Sequence, residues 1–133
     1  MAHAKPNLPR ARGRAFAALG GAALLLAGGS AQAHHSYAAF DRDKTAEVAG
    51  VVKRWDWTNP HVWLTVSVPQ KKGPPVDWAF EGPAPATLRG KGWTRTALKP
   101  GDKVTVIGSP RRDGTLGGAL VDVILPDGKK IGS

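Results

Sequence analysis

The sequence predicts an all-β domain with one short helix, closed into a small five-stranded barrel. Five stretches alternate apolar and polar residues, as strands with one buried face do, and Gly, Pro, Asn and Asp clusters separate them. A short helical stretch falls between the third and fourth strands. This order of elements is that of the OB fold, a small Greek-key barrel, and the alternative is an open antiparallel sandwich.

The second predicted strand, residues 61–68, has the most regular alternation, with its aliphatic side chains on one face and His61 and Trp63 on the other. The first strand, residues 46–57, loses its alternation near Gly50, which indicates a bulge or bend. The remaining elements are predicted at 76–81, 85–90 (the helix, with proline in its first turn), 103–108 and 119–125.

Residues 1–33 have the three parts of a secretory signal peptide. Arg10, Arg12 and Arg14 precede an apolar run over residues 15–27, and Ala31-Gln32-Ala33 supplies small residues at a cleavage site. The run is shorter than the roughly 20 residues of a membrane span, and no later segment is longer. We expect cleavage after Ala33, a periplasmic or secreted location, and a single domain over residues 34–133 without a transmembrane span; the alternative is that residues 1–33 remain as an uncleaved anchor.

Charge and cysteine content exclude several classes of function. Four of the 19 basic residues lie in the predicted leader and none of the ten acidic residues does, so the mature chain carries a net charge of +5 rather than +9. The basic character is therefore partly that of a targeting segment, and nucleic acid is not an expected partner. The absence of cysteine excludes disulfides, thiolate metal sites and a cysteine nucleophile.

A candidate metal site follows from the cleavage site. Cleavage after Ala33 exposes an α-amine on His34, and this amine and the His34 ring can chelate one metal ion. His61 would supply an opposing ring, Glu81 an oxygen, and His35 a spare contact. Nitrogen ligands in tetragonal geometry favour Cu(II) or Ni(II), and copper is the first choice here. The alternative is that His34 and His35 form only a polar chain end and that His61 belongs to a turn.

Tryptophans suggest a second kind of site. Trp55, Trp57 and Trp63 cluster around one predicted hairpin, and the early strands of an OB fold form its ligand-binding face. We expect this face to bind a small organic ligand or a periplasmic partner protein. The competing interpretation is that tryptophans fill a small core, and it is favoured for Trp78 and Trp93.

Several segments together resemble a family of small exported bacterial proteins of unknown function. They are His34-His35-Ser36-Tyr37, Phe40-Asp41, Trp57-Thr58-Asn59-Pro60-His61, Gly92-Trp93 and Pro100-Gly101-Asp102. The resemblance covers nearly the whole mature chain. It implies export and a compact β-fold, and it implies no catalytic residue.

The sequence thus favours a small non-catalytic binding or accessory protein. No serine lies in a glycine elbow, and no Ser-His-Asp arrangement stands out. Copper binding is the sharper hypothesis, and binding of an organic ligand or a partner protein is the alternative. A copper enzyme that oxidises a substrate at the same site is a third possibility.

Overall fold

The computed structural model of the protein describes residues 38–133. These residues form six strands, with helix α1 between the third and the fourth: β1 (Ala46–Asp56), β2 (Trp63–Val68), β3 (Val76–Glu81), α1 (Pro85–Gly90), β4 (Lys103–Pro110), β5 (Gly117–Ile124) and β6 (Lys130–Gly132). The five predicted strands and the helix are confirmed. Strand β6 is additional, since the sequence indicated only a turn and a short chain end there.

The strands close into a barrel. They are hydrogen-bonded in the order β3-β2-β1-β4-β5-β6, and β3 also pairs with β5. The β3–β5 pairing is parallel and the other neighbours are antiparallel, so the sheet is mixed. Strand β1 serves both halves of the barrel, because its first part pairs with β4 and its last part with β2. The result is a five-stranded OB-like barrel with one extra strand, and not an open sandwich.

Two glycines allow the barrel to close. A Cβ atom on Gly117 would lie 2.0 Å from the Ala79 carbonyl oxygen of β3, and one on Gly118 would lie 2.2 Å from the Ser109 carbonyl oxygen of β4. Gly117 also has a φ of +140°, which side-chain-bearing residues rarely adopt. Strand β5 can therefore approach β3 and β4 only because these two positions lack side chains.

The core lies inside the barrel and under α1. The aliphatic face predicted for β2 is confirmed, because Val62, Leu64 and Val66 have no exposed surface. The other buried apolar residues of this core are Val52, Trp57, Phe80, Leu88, Trp93, Leu98, Val104, Val106, Leu120 and Val123. Trp93 is fixed further by its indole N–H, which donates to the Gly132 carbonyl oxygen of β6 at 2.7 Å.

The bulge in β1 lies three residues beyond its predicted position. The register between β1 and β2 shifts between Val52 and Arg54, so Lys53 and Arg54 both face solvent. Gly50 instead marks a close approach, since a Cβ atom there would lie 2.7 Å from the Ser67 carbonyl oxygen. The bulge changes which alternate residues of β1 point inward, and it turns Trp55 and Trp57 towards the core.

Candidate functional site

The residues predicted to bind a metal are only partly within the described range. His61 and Glu81 lie together, with the Nδ1 atom of His61 2.6 Å from the Oε1 atom of Glu81. His34 and His35 lie outside residues 38–133, so the structure does not describe them. Within the described range, no three His, Asp or Glu side chains converge as a metal site would require.

Backbone hydrogen bonds fix the position of His61 beside β3. It precedes β2 and follows the cis peptide bond between Asn59 and Pro60. The next residue, Val62, donates its N–H to the Pro83 carbonyl oxygen at 3.2 Å and accepts from the Gly82 N–H at 2.9 Å. The pairing of β2 with β3 thus continues past the ends of both strands and brings His61 to the end of β3, where Glu81 lies.

The contact between the two side chains defines which nitrogen of His61 remains for a ligand. An ionised carboxylate can only accept hydrogen bonds, so the short contact requires that Nδ1–H of His61 donates to Glu81. Nε2 is then the nitrogen that can bind a metal or exchange a proton. Both side chains are mostly buried, at 22% and 14% exposed, so solvent screens the contact only in part.

A cavity of about 560 Å³ surrounds this pair. Apolar and small residues form part of its wall, including Phe40, Ala119 and Leu120, while Arg42, Lys91 and Ser109 add polar groups. The register places Glu81 opposite Ala119, and Ala119 opposite Ser109, in one row across three strands. The small Ala119 side chain lies between two larger polar ones in this row, which helps to open the cavity.

The chain that leads back to the predicted histidine pair is fixed at the rim of this cavity. Phe40 is buried and pairs with Arg111, and the Asp41 N–H donates to the Pro110 carbonyl oxygen at 2.8 Å. His34 is six residues before Phe40, and six extended residues span about 20 Å at most. The polypeptide is therefore long enough for His34 to reach a cavity that Phe40 itself lines.

The three tryptophans of the predicted ligand face do not lie on one surface. Trp57 is only 5% exposed and belongs to the core. Trp55 packs against Trp57, with the ring centroids 5.5 Å apart. The Trp93 ring packs against Trp55 as well, with a centroid distance of 5.4 Å. Trp63 points to the outer side of the sheet, where its ring lies 5.8 Å from the guanidinium carbon of Arg111. Only Trp63 of the three remains on a face that a ligand could contact.

Sequence reasoning missed this division of the tryptophans, although a signal for it exists. Two large apolar residues of the first strand, Val48 and Val52, fall at even positions, whereas Trp55 and Trp57 fall at odd positions. A change of parity within one strand requires a bulge between the two sets. Arg111, which lies against both Trp63 and Phe40, was also missed, because its turn carried only a hairpin signal.

The fold and the cavity define a class: a small OB-like barrel with a His–Glu pair in a partly open cavity. The sequence matches a family of unknown function, DUF6152, over residues 22–120. The chain therefore belongs to this family. Comparison with curated proteins and with solved structures finds no match. Within residues 38–133, no helix combines the length and the apolar character needed to cross a bilayer.

Proposed function

We propose that the protein is exported, that it is cleaved after Ala33, and that the mature chain binds Cu(II) through His34 and His61. The observation that carries this proposal is the contact between His61 and Glu81 in a cavity that Phe40 lines. It supports the proposal because a histidine ring held by a carboxylate, within reach of a second nitrogen donor, is a common arrangement in metal sites.

In this proposal Glu81 has a different role from the ligand role that the sequence suggested. Its carboxylate accepts from Nδ1–H of His61, so it orients the ring and leaves Nε2 for the metal. Copper would then be held by three nitrogens: the His34 amine, the His34 ring and Nε2 of His61. His35 would remain a spare contact near the metal.

A titration of the mature chain with Cu(II) tests the proposal. We expect one equivalent to bind with a Kd below micromolar, and both His34→Ala and His61→Ala to weaken binding by at least about a hundredfold, because each removes a nitrogen ligand. His35→Ala is the matched control and should change the Kd little. Micromolar or weaker binding that His34→Ala leaves unchanged would contradict the proposal.

Glu81→Gln tests the orienting role of the carboxylate separately. Loss of such a partner typically weakens metal binding by about 10–100-fold, so the effect should be smaller than that of His61→Ala. Asp77→Asn is a suitable control, because Asp77 lies on the same strand and pairs with Lys53 at 2.5 Å on the exposed surface. Equal affinities for Glu81→Gln and the wild type would rule out this role.

A second candidate function is binding of a small organic ligand or a partner protein. The volume of the cavity favours it, since about 560 Å³ is far more than one metal ion needs and lies within the range of organic-ligand sites. Binding of an organic molecule that persists in His34→Ala and in the absence of metal would support this function over the first.

A further inference from the structure

Arg111 is held in place by backbone pairing and by two aromatic rings. It directly follows β4 and forms an isolated antiparallel β-bridge with Phe40. Its backbone N–H donates to the Gly117 carbonyl oxygen at 3.3 Å. Its guanidinium carbon lies 5.9 Å from the centroid of the Phe40 ring and 5.8 Å from that of Trp63. Two aromatic rings and two backbone contacts therefore fix one planar cation.

The hydrogen-bonding capacity of this cation is not used within the described residues. Its Nε atom is buried and has no hydrogen-bond partner among residues 38–133. No Asp or Glu of that range forms an ion pair with it, whereas the adjacent Arg112 lies 3.8 Å from Asp41. Because the Nε atom itself is buried, a ligand from solvent would contact the Nη groups at the outer end of the guanidinium.

The two acidic residues nearest to Arg111 and Phe40 in sequence are engaged elsewhere. Asp113 accepts from the Thr115 hydroxyl at 2.7 Å and from the Thr115 N–H at 3.0 Å. Asp41 lies 3.1 Å from the ammonium nitrogen of Lys44. The charge of Arg111 contributes to lowering the pKa of Asp113, but within residues 38–133 neither carboxylate forms an ion pair or a hydrogen bond with the guanidinium, so its outer N–H groups can donate to a carboxylate of a ligand.

We propose that Arg111 is the anchor of a carboxylate-binding site formed with Trp63 and Phe40. A guanidinium binds a carboxylate through two parallel N–H donors in its own plane, and this geometry requires a fixed guanidinium. Arg111 is only partly buried, so a ligand can approach it from solvent. The Trp63 ring beside it offers an apolar surface to the body of the ligand, which favours a carboxylate carried on a flat or apolar group.

This site does not depend on copper. Phe40 lines the cavity that contains His61 and Glu81 and also contacts Arg111, but neither Arg111 nor Trp63 lines that cavity. The carboxylate could come from a small organic acid or from the C-terminus of a partner protein. The two sources share the chemistry that Arg111 recognises, and they can be distinguished by experiment.

The experiment uses ¹⁵N-labelled protein and follows the Nε–H resonance of Arg111. The probes are benzoate, its neutral isostere benzamide, and a short peptide with either a free or an amidated C-terminus. We expect the resonance to shift on addition of a carboxylate and to stay unchanged with the neutral partner of each pair. A response to benzoate identifies the source as a small acid, and a response to the free peptide alone identifies it as a protein terminus.

Two variants complete the test. Arg111→Lys should weaken carboxylate binding by at least about tenfold, because a lysine keeps the charge but loses the two-donor fork. Arg112→Lys is the matched control and should bind as the wild type does. Absence of a shift with both carboxylates, equal responses to benzoate and benzamide, or unchanged binding by Arg111→Lys would overturn the proposal. The wild-type Nε–H shift decides the matter even if Arg111→Lys fails to fold.

Discussion

At the scale of single residues, barrel closure depends on the missing side chain of Gly117. Gly117 has a φ that side-chain-bearing residues rarely adopt, and a Cβ atom there would clash with the backbone of β3. Gly114 has a positive φ of +77° but nothing within 4 Å of its would-be Cβ, and Gly90 has neither constraint. Substitution of these three glycines by alanine therefore separates two contributions to the free energy of unfolding: the strain of a positive φ and the steric clash of a Cβ atom.

Gly117→Ala should destabilise the protein by about 3 kcal/mol or more, because the new Cβ would overlap the Ala79 carbonyl and force β3 and β5 apart. Gly114→Ala should cost only about 1 kcal/mol, since it adds conformational strain alone. Gly90→Ala should be neutral or slightly stabilising within a helix. Urea unfolding of the three variants measures these differences, and a Gly117→Ala effect no larger than that of Gly114→Ala would contradict the account of closure.

The contact between His61 and Glu81 shows what the sequence could predict about the candidate site. Both residues were expected near the ends of neighbouring strands, and alternation together with a short connection was enough to place them together. The orienting role of Glu81 could not be predicted, because it depends on which ring nitrogen faces the carboxylate. The orientation of the His61 ring depends on the backbone hydrogen bonds of Val62 and Gly82. No periodic pattern in the sequence predicts these bonds.

Two aspartates near Arg111 predict a dependence of stability on pH. A hydrogen bond from Lys44 lowers the pKa of Asp41, and the backbone N–H and hydroxyl of Thr115 lower the pKa of Asp113. A pKa that is lower in the folded state stabilises the fold at pH values above the ordinary aspartate pKa of about 3.9, and this contribution is lost as the pH falls further.

The variant Asp113→Asn should therefore lose less stability than the wild type when the pH is lowered from 6 to 2. Asp41→Asn, which removes the other carboxylate whose pKa is lowered, should change the profile in the same direction. Urea midpoints at several pH values measure both. If the stability of Asp113→Asn falls as steeply with pH as that of the wild type, the hydrogen-bonded carboxylate of Asp113 does not contribute to the pH dependence of stability.

At the scale of elements, the bulge in β1 decides how the tryptophans are used. Without it, Arg54 and Asp56 would point into the barrel; with it, Trp55 and Trp57 do. The sequence indicated an irregular first strand but associated it with Gly50. Gly50 instead permits the close approach of β1 to β2. A glycine within a strand can indicate either a bulge or such a close approach, and the sequence alone does not distinguish the two.

Trp57→Ala should destabilise the protein by about 3–5 kcal/mol, as is typical when a large buried aromatic side chain is removed. Trp63→Ala should cost about 1–2 kcal/mol, since Trp63 is only partly buried and lies outside the core. Denaturant unfolding monitored by circular dichroism measures both variants. Equal losses would contradict the assignment of the two residues to different faces.

Strand β5 shows a similar limit of prediction. Its register against β4 shifts between Ile107 and Gly108, and Val121 is 42% exposed, although simple alternation along the strand would place it on the same face as the buried Val123. Alternation fixes the face of a residue only while the register is continuous. Bulges arise from pairing with distant strands, so their positions were the least predictable part of the fold.

At the scale of the whole molecule, the order of elements was sufficient to predict the barrel. Five alternating stretches and a helix between the third and fourth leave few ways to bury one core in a chain of this size. The parallel β3–β5 pairing that closes the barrel had no direct signal apart from Gly117-Gly118, which resembled part of a turn. Strand β6 was missed because it is three residues long and has almost no periodicity.

The central claim is that export creates the copper site by exposing the amine of His34. Intact mass measured under native conditions tests it most directly, using the protein recovered after export and supplied with one equivalent of Cu(II). The proposal predicts the mass of residues 34–133 plus one copper ion, and loss of the copper in His61→Ala. A chain that begins elsewhere, or one that begins at His34 and retains no copper, would contradict it.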